Sequence, residues 1–459
     1  MKKILFFTLI TFSISSCTDY LEVKTYGKAI PKTSEEFSAL LHTHLNDIDY
    51  GADHVLIENA SALVSMESIT DNFSVALTMP AGTVLPKYIG DMLGGNSGSN
   101  KQRRYELLYA VVRDANIIIN NMPSVEHTDE QNVMGTAYAM RAIAYYHLLR
   151  EFCEPYESDE QLGLPIVRDF DMEERPLRSN YGMTRTFIED DFKSALSFAV
   201  SDEIYRYTED VVKAYQTRFY FWTKQWDKAA PLAKEIVSDY PLAEGQAYTT
   251  MIQARNEKTG NVLFRSYLFP GNQDQAFTDA QRVIKTRPLT KEFVDLFEER
   301  NRDIRHALYF DNKRLTQKML SGKVRSAEFQ LVLAECYAHL GQHDLALEAV
   351  NTLRSMRIAN YVDYSLETLP AVDLSALIKV DAEGKLLTPL MQLILRERRK
   401  ELFAEGDRFF ELKRNGRPTF WAASNGLKYT TEEYMYTFPL PRIDVELIPG
   451  LIQNEGYQF

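Results

Sequence analysis

Glu397, Glu401 and Glu405 recur at intervals of four in the run Arg396-Glu-Arg-Arg-Lys-Glu-Leu-Phe-Ala-Glu-Gly406. Paired carboxylates do the work in a glycosidase, one as acid and the other as nucleophile or base. That chemistry needs them on either side of the scissile bond, about 5–9 Å apart. Residues four apart on a helix share one face and point the same way, so these three cannot flank a sugar. Arg398 lies three before Glu401 and Arg408 three beyond Glu405. The expected role is an ion-pair network with these arginines that fixes two helices together.

His42-Thr-His44, followed by Asp47, Asp49, Asp53 and Glu58, raises the question of a metal. On a helix His42 and His44 point to nearly opposite sides and cannot share one ion. As a calcium loop starting at Asp47, positions one, three and twelve fit. Gly51 and Ala52 replace the fifth ligand and the required glycine, so a solvated loop without metal is expected. The chain has no His-Glu-x-x-His, no Gly-x-Ser-x-Gly and no Walker-type glycine loop. Its 8 histidines are scattered. The reading is a binding protein with no catalytic residues and no cofactor.

The elements that would position such groups are helices in pairs. Thr217–Lys224 and Trp226–Ala233 form one hairpin, closing at Pro241. Leu333–Gly341 and Asp344–Val350 form another. In both, a tyrosine (Tyr220, Tyr337) precedes an alanine (Ala229, Ala346) by nine positions. A small side chain is needed there because two helices cross with close backbones. This is tetratricopeptide-type spacing. A less regular pair joins Gly135–Leu149 to Asp191–Phe198 across an insertion with Gly163-Leu-Pro165 and Arg175-Pro176, both turn signals. A fourth is Arg396–Lys413. Thr33-Ser-Glu-Glu36 is a capping box for a helix over 35–45. Gly94–Asn100 is a flexible loop by composition. The fold class expected is mostly α: tetratricopeptide-like helical pairs packed against a loop-rich half, as a single domain over 17–459. The repeats fall near 135–200, 211–241, 326–357 and 389–414.

The chain opens as an export leader. Lys2 and Lys3 precede an apolar run, Ile4–Ile14, too short to span a bilayer as a helix. Ile14-Ser-Ser-Cys17 follows, small residues before a cysteine, as lipoprotein processing requires. Residues 1–16 are then removed and Cys17 carries the lipid; two or more acyl chains hold where one does not. Without Lys2 and Lys3 the chain has 50 basic and 64 acidic residues, a charge of −14, which argues against nucleic acid. Cys153 and Cys336 fit no zinc spacing. Two buried thiols are expected, and a disulfide is the alternative.

The run Glu397–Leu402, Glu405-Gly406-Asp-Arg408-Phe-Phe410, Leu412-Lys-Arg414-Asn-Gly416, with Tyr436–Pro441 and Gln453–Tyr457, resembles the C-terminal signature of the SusD/RagB family. Asp19–Lys24 with Pro31-Lys-Thr33, Arg141-Ala142, Tyr145–Leu148, Gly163-Leu-Pro165, and Arg287-Pro288 through Arg305 resemble its other segments. Asp444 and Ile448-Pro449 depart from the family's usual glutamate and Asn-Pro. The resemblance implies a SusD-like fold in a lipid-anchored outer-membrane protein. Such a protein binds a nutrient, most often an oligosaccharide, and passes it to a SusC-like TonB-dependent transporter.

It also implies ligand contacts in loops of the non-repeat half, here Ser68–Gly90 and Ser266–Asp274. Asp71 and Asn72 offer polar groups and Tyr88 a ring; Tyr267, Phe269, Asn272 and Gln273 combine rings and amides. Most of the 26 tyrosines and 25 phenylalanines, and Trp222 and Trp226, are expected in the repeat core. Trp421 is read as a loop residue in a structural tail. Only 3 tryptophans favour a ligand other than a regular polysaccharide, so peptide capture stands as the alternative, beside a scaffold that binds proteins.

Overall fold

A computed structural model describes residues 31–49, 55–57, 63, 66–67, 69–74, 98–169, 171, 173–254, 261–265, 288–320, 322–424 and 427–457. The first helix, α1 (Ser34–Asp49), starts at the expected capping box. Thr33 Oγ1 accepts the Glu36 N–H at 3.3 Å, and the Glu36 carboxylate accepts the Thr33 N–H at 3.3 Å. It runs four residues past the expected end. Gly98–Asn100, expected as loop, begins α2 (Gly98–Asn121).

The chain is mostly helical. α3 (Thr128–Phe152) pairs with α4 (Tyr181–Ser197), and between them lies a hairpin of β1 (Leu162–Pro165) and β2 (Arg178–Asn180). One arginine ties three helices here. Arg141 donates to both Asp191 oxygens at 2.8 and 2.7 Å and to Asn116 Oδ1 of α2 at 2.6 Å. Next come α5 (Glu209–Trp222) and α6 (Trp226–Asp239), then α7 (Gly245–Gln253) and β3 (Val262–Arg265). The short α8 (Lys291–Asp295) and α9 (Ile304–Tyr309) precede β4 (Lys323–Arg325), which pairs antiparallel with β3. α10 (Ser326–His339), α11 (His343–Ser355), α12 (Pro389–Glu401) and α13 (Arg408–Arg414) follow. The hairpin β5 (Trp421–Ser424) and β6 (Leu427–Thr430) and the short α14 (Arg442–Leu447) complete the described elements.

α10 packs against α6, α11 and α12. Every residue from Ser326 to Cys336 is buried in consequence. Ala229 on α6 and Ala346 on α11 have no exposed surface, as close helix crossings require. Trp222 and Trp226 are core. Cys153 and Cys336 are both buried and unpaired, so the disulfide alternative is not realised. A second, largely aromatic core sits among α7, α8, α9 and the end of α12. It is built around Tyr248, Phe293, Phe297, Tyr309 and Phe403.

The C-terminal tail closes the end of α3. The last carbonyls of a helix have no partner within it. Here Lys413 Nζ donates to the carbonyls of Arg150 and Cys153, both at 2.8 Å. The Phe438 N–H donates to Glu151 at 2.9 Å and Asn454 Nδ2 to Phe152 at 2.8 Å.

Candidate functional site

α12 begins where Thr388 Oγ1 accepts the Met391 N–H at 3.1 Å and Pro389 opens the first turn. Leu390, Leu393 and Ile394 pack with Ala346, Leu347 and Val350 of α11, which turns Glu397 and Glu401 into the protein. Glu401 accepts from Arg325 at 2.7 Å, Arg357 at 3.0 Å and Arg305 at 3.2 Å; all four side chains are fully buried. Glu397 pairs with Arg305 at 2.9 Å and with Arg354. Glu405 pairs with Lys318 at 2.7 Å and Arg325 at 3.0 Å. Burial works to raise the pKa of Glu401, but Arg357, Arg325 and Arg305 overcome it and hold the group well below the carboxylate range. Glu405 is pushed down to about 2 against burial by Arg325 and Lys318.

The ion-pair network is real, but its cations are not the arginines that spacing suggested. Arg398 donates to Asp407 at 2.9 Å, and Arg408 to Asp71 and Glu411. Glu397 and Glu401 are sealed among cations, and neither has any exposed surface.

The arginines of the signature lead instead to a cleft of about 560 Å³, within the usual range for small-molecule sites. Arg399, Arg408 and Asp71 line its polar side. Arg408 donates to the two oxygens of Asp71 at 2.8 Å each, and Arg399 lies 3.1 Å from the second. Burial would raise the pKa of Asp71; Arg399 and Arg408 reverse that and keep it ionised well below the usual carboxylate range. Leu296, Leu377, Ile378, Leu395 and Phe420 give the apolar wall. Trp421 stands at the cleft with 46 % of its surface exposed.

The residues expected to hold ligand divide accordingly. Asp71 lines the cleft. Asn72 is fully buried, its Oδ1 accepting from Arg399 Nε at 2.8 Å and its Nδ2 donating to Glu67 at 3.3 Å. It therefore positions Arg399 rather than presenting an amide to the cleft. Cys17, Tyr88, Tyr267, Phe269, Asn272 and Gln273 lie outside the described residues. The described flanks of two of these stretches meet: the Ser74 N–H donates to the Pro288 carbonyl at 2.8 Å, and Phe73 bridges Leu289. Ser74 also lines the cleft.

His44 Nε2 contacts Asp114 at 3.1 Å while His42 packs on the Tyr205 ring. Among the described residues no group of three or more His, Cys, Asp or Glu side chains could hold a metal.

Trp421 is the residue that sequence reasoning missed. It opens β5, opposite Thr430, and not a loop. Asn425-Gly426 between two short runs is a hairpin signal, and it would have set Trp421 on a strand.

Comparison with known proteins adds a family and a fold. Residues 309–457 match the model described as SusD family, and residues 19–221 the one described as starch-binding associating with outer membrane. No curated protein sequence matches significantly. A SusD superfamily protein of Bacteroides thetaiotaomicron aligns with TM-score 0.68 and 19% identity, over 92% of this chain and 99% of that one. A putative sugar binding protein of Bacteroides vulgatus aligns with TM-score 0.68 and 19% identity, over 94% and 100%. A SusD-like carbohydrate binding protein of the same species aligns with TM-score 0.62 and 17% identity, over 87% and 89%. At such identities the likeness is one of fold.

Proposed function

The chain belongs to the SusD-like family, and from that premise we propose that it captures a glycan in the cleft between Asp71 and Trp421 without breaking a bond. The carrying observation is the pairing of a half-exposed indole with a charged side across one cleft. A flat ring stacks on the C–H face of a sugar. Arg399 and Asp71 offer donors and acceptors to its hydroxyls. The family is associated with the outer membrane. Lipid attachment at Cys17, exposure at the cell surface and delivery to a SusC-like TonB-dependent transporter complete the proposal, supported by the leader and the family.

Binding without catalysis is supported by the fate of the three signature carboxylates, all held in ion pairs. Tyr88, Tyr267, Phe269, Asn272 and Gln273 belong to the same proposal on chain order, since their stretches rejoin described residues at Ser74 and Pro288.

Isothermal titration of the processed chain with oligosaccharides and with peptides tests the reading. Glycan binding that Trp421→Ala weakens about tenfold, with the melting temperature unchanged, is the expected result. The apolar wall also suits peptide side chains, and binding of peptides alone would move the assignment to that class. Recovery of Cys17→Ala from the soluble fraction, with the unaltered protein in outer membranes, tests the anchor.

A further inference from the structure

A second cavity, apart from the cleft, lies where α3, α5, β4, α12 and α13 meet. Its volume is about 70 Å³. One water needs ~10–15 Å³ on that measure, so the space holds a few small particles and no sugar. Its lining is crowded with charge.

Four carboxylates face it, and each already has a cation. Glu328 accepts from Arg218 at 2.7 Å, Asp407 from Arg398 at 2.9 Å, Glu405 from Lys318 at 2.7 Å and Glu411 from Arg408 at 2.6 Å. The surplus is positive. Lys323 is 5% exposed, and among the described residues neither its Nζ nor Arg398 Nη1 has a hydrogen-bond partner. Both residues line the cavity.

The Lys323 backbone is fixed. It sits in β4 opposite Arg265 of β3, and its carbonyl accepts from Arg218 Nη2 at 2.9 Å. Glu405, the carboxylate that acts on it, is already bonded to Lys318 and Arg325, so a buried ammonium here either loses its proton or takes up an anion. Burial lowers the Lys323 pKa to about 7, with Glu405 opposing and Lys318, Arg265 and Arg325 adding to the fall. The group is therefore poised so that a bound negative charge would settle it in the charged form.

We propose that this cavity binds a monovalent anion of chloride size, with Lys323 Nζ and Arg398 Nη1 as its donors. Glu411 Oε1, also unpartnered, accepts from water that shares the space. The site is independent of the glycan cleft, and its failure would leave that reading standing.

Crystals of the full processed chain grown in bromide test it directly. An anomalous peak about 3 Å from Lys323 Nζ is expected. Melting temperatures in chloride and in gluconate, too large to enter, are compared at equal ionic strength. A higher value in chloride that Lys323→Met removes supports the site. A cavity holding only water in the bromide crystals overturns it. So does a chloride effect of equal size in the variant, or a bromide peak without any chloride effect. If Lys323→Met does not fold, the bromide map and the chloride effect on the unaltered protein decide.

Discussion

Glu401→Gln removes one negative charge from the centre of the α12 network and leaves its shape almost unchanged. Glu401 meets Arg325, Arg357 and Arg305 at 2.7, 3.0 and 3.2 Å, with all four side chains out of contact with solvent. At an effective dielectric of about 20, a pair near 3 Å is worth roughly 5 kcal/mol before desolvation. Glutamine keeps one acceptor oxygen but brings an N–H₂ against a guanidinium. The net cost of breaking a buried pair in this way is about 3–5 kcal/mol, a large part of the ~5–15 kcal/mol that holds a native protein together. Urea unfolding of the processed chain, followed by circular dichroism, should show a lower midpoint with an unchanged slope. The folded pKa of Glu401 is depressed, so its contribution is present above the unfolded value near about 4.3 and fades as pH falls towards the folded one. The gap between variant and parent should therefore narrow on acidification. A variant within about 0.5 kcal/mol of the parent at neutral pH would refute the structural role. Turnover of a polymer, lost in a variant that stays folded, would refute it in favour of catalysis.

Trp421→Ala should weaken glycan binding about tenfold, from the ~1.5 kcal/mol of a lost ring contact, by titration calorimetry, with little change in melting temperature because the ring is half-exposed. Glu67 is buried, and burial raises its pKa to about 7. A raised carboxyl pKa gives stability that is complete below the unfolded value and is lost as pH rises through the folded one. Glu67→Gln should match the parent below about pH 4 and exceed it at pH 8, by up to on the order of 3 kcal/mol, in parallel denaturation curves. Gly163→Ala would put a methyl group 2.3 Å from Thr184 Oγ1 and 2.5 Å from the Asn180 carbonyl; a loss of ~1–3 kcal/mol should appear in the same assay.

The helical pairs were legible because their causes are local. Ala229 and Ala346 are small where backbones approach, and Thr33 and Glu36 cap within four residues. Glu397 and Glu401, four apart on α12, could be ruled out as a glycosidase pair from the helical period alone, whereas Glu405, expected on the same face, lies past the end of that helix. Their partners could not be read, because Arg305 lies 96 positions from Glu401 and comes from another element. The same distance problem hid the site. Asn72 read as an open amide, yet Arg399, 327 positions away, takes it. Asp71 was legible as a polar loop residue, but not its sharing by two arginines at the cleft. Trp421 was set aside because its neighbours belong to a structural tail, although a strand gives each side chain its own face.

The four carbonyls that end α3 bond to Lys413, Phe438 and Asn454, 260 or more positions further along. During synthesis these acceptors stand open until Lys413, Phe438 and Asn454 have been added. The fold therefore cannot be completed from its beginning, and a chain stopped before Phe438 leaves the end of its longest early helix unsealed.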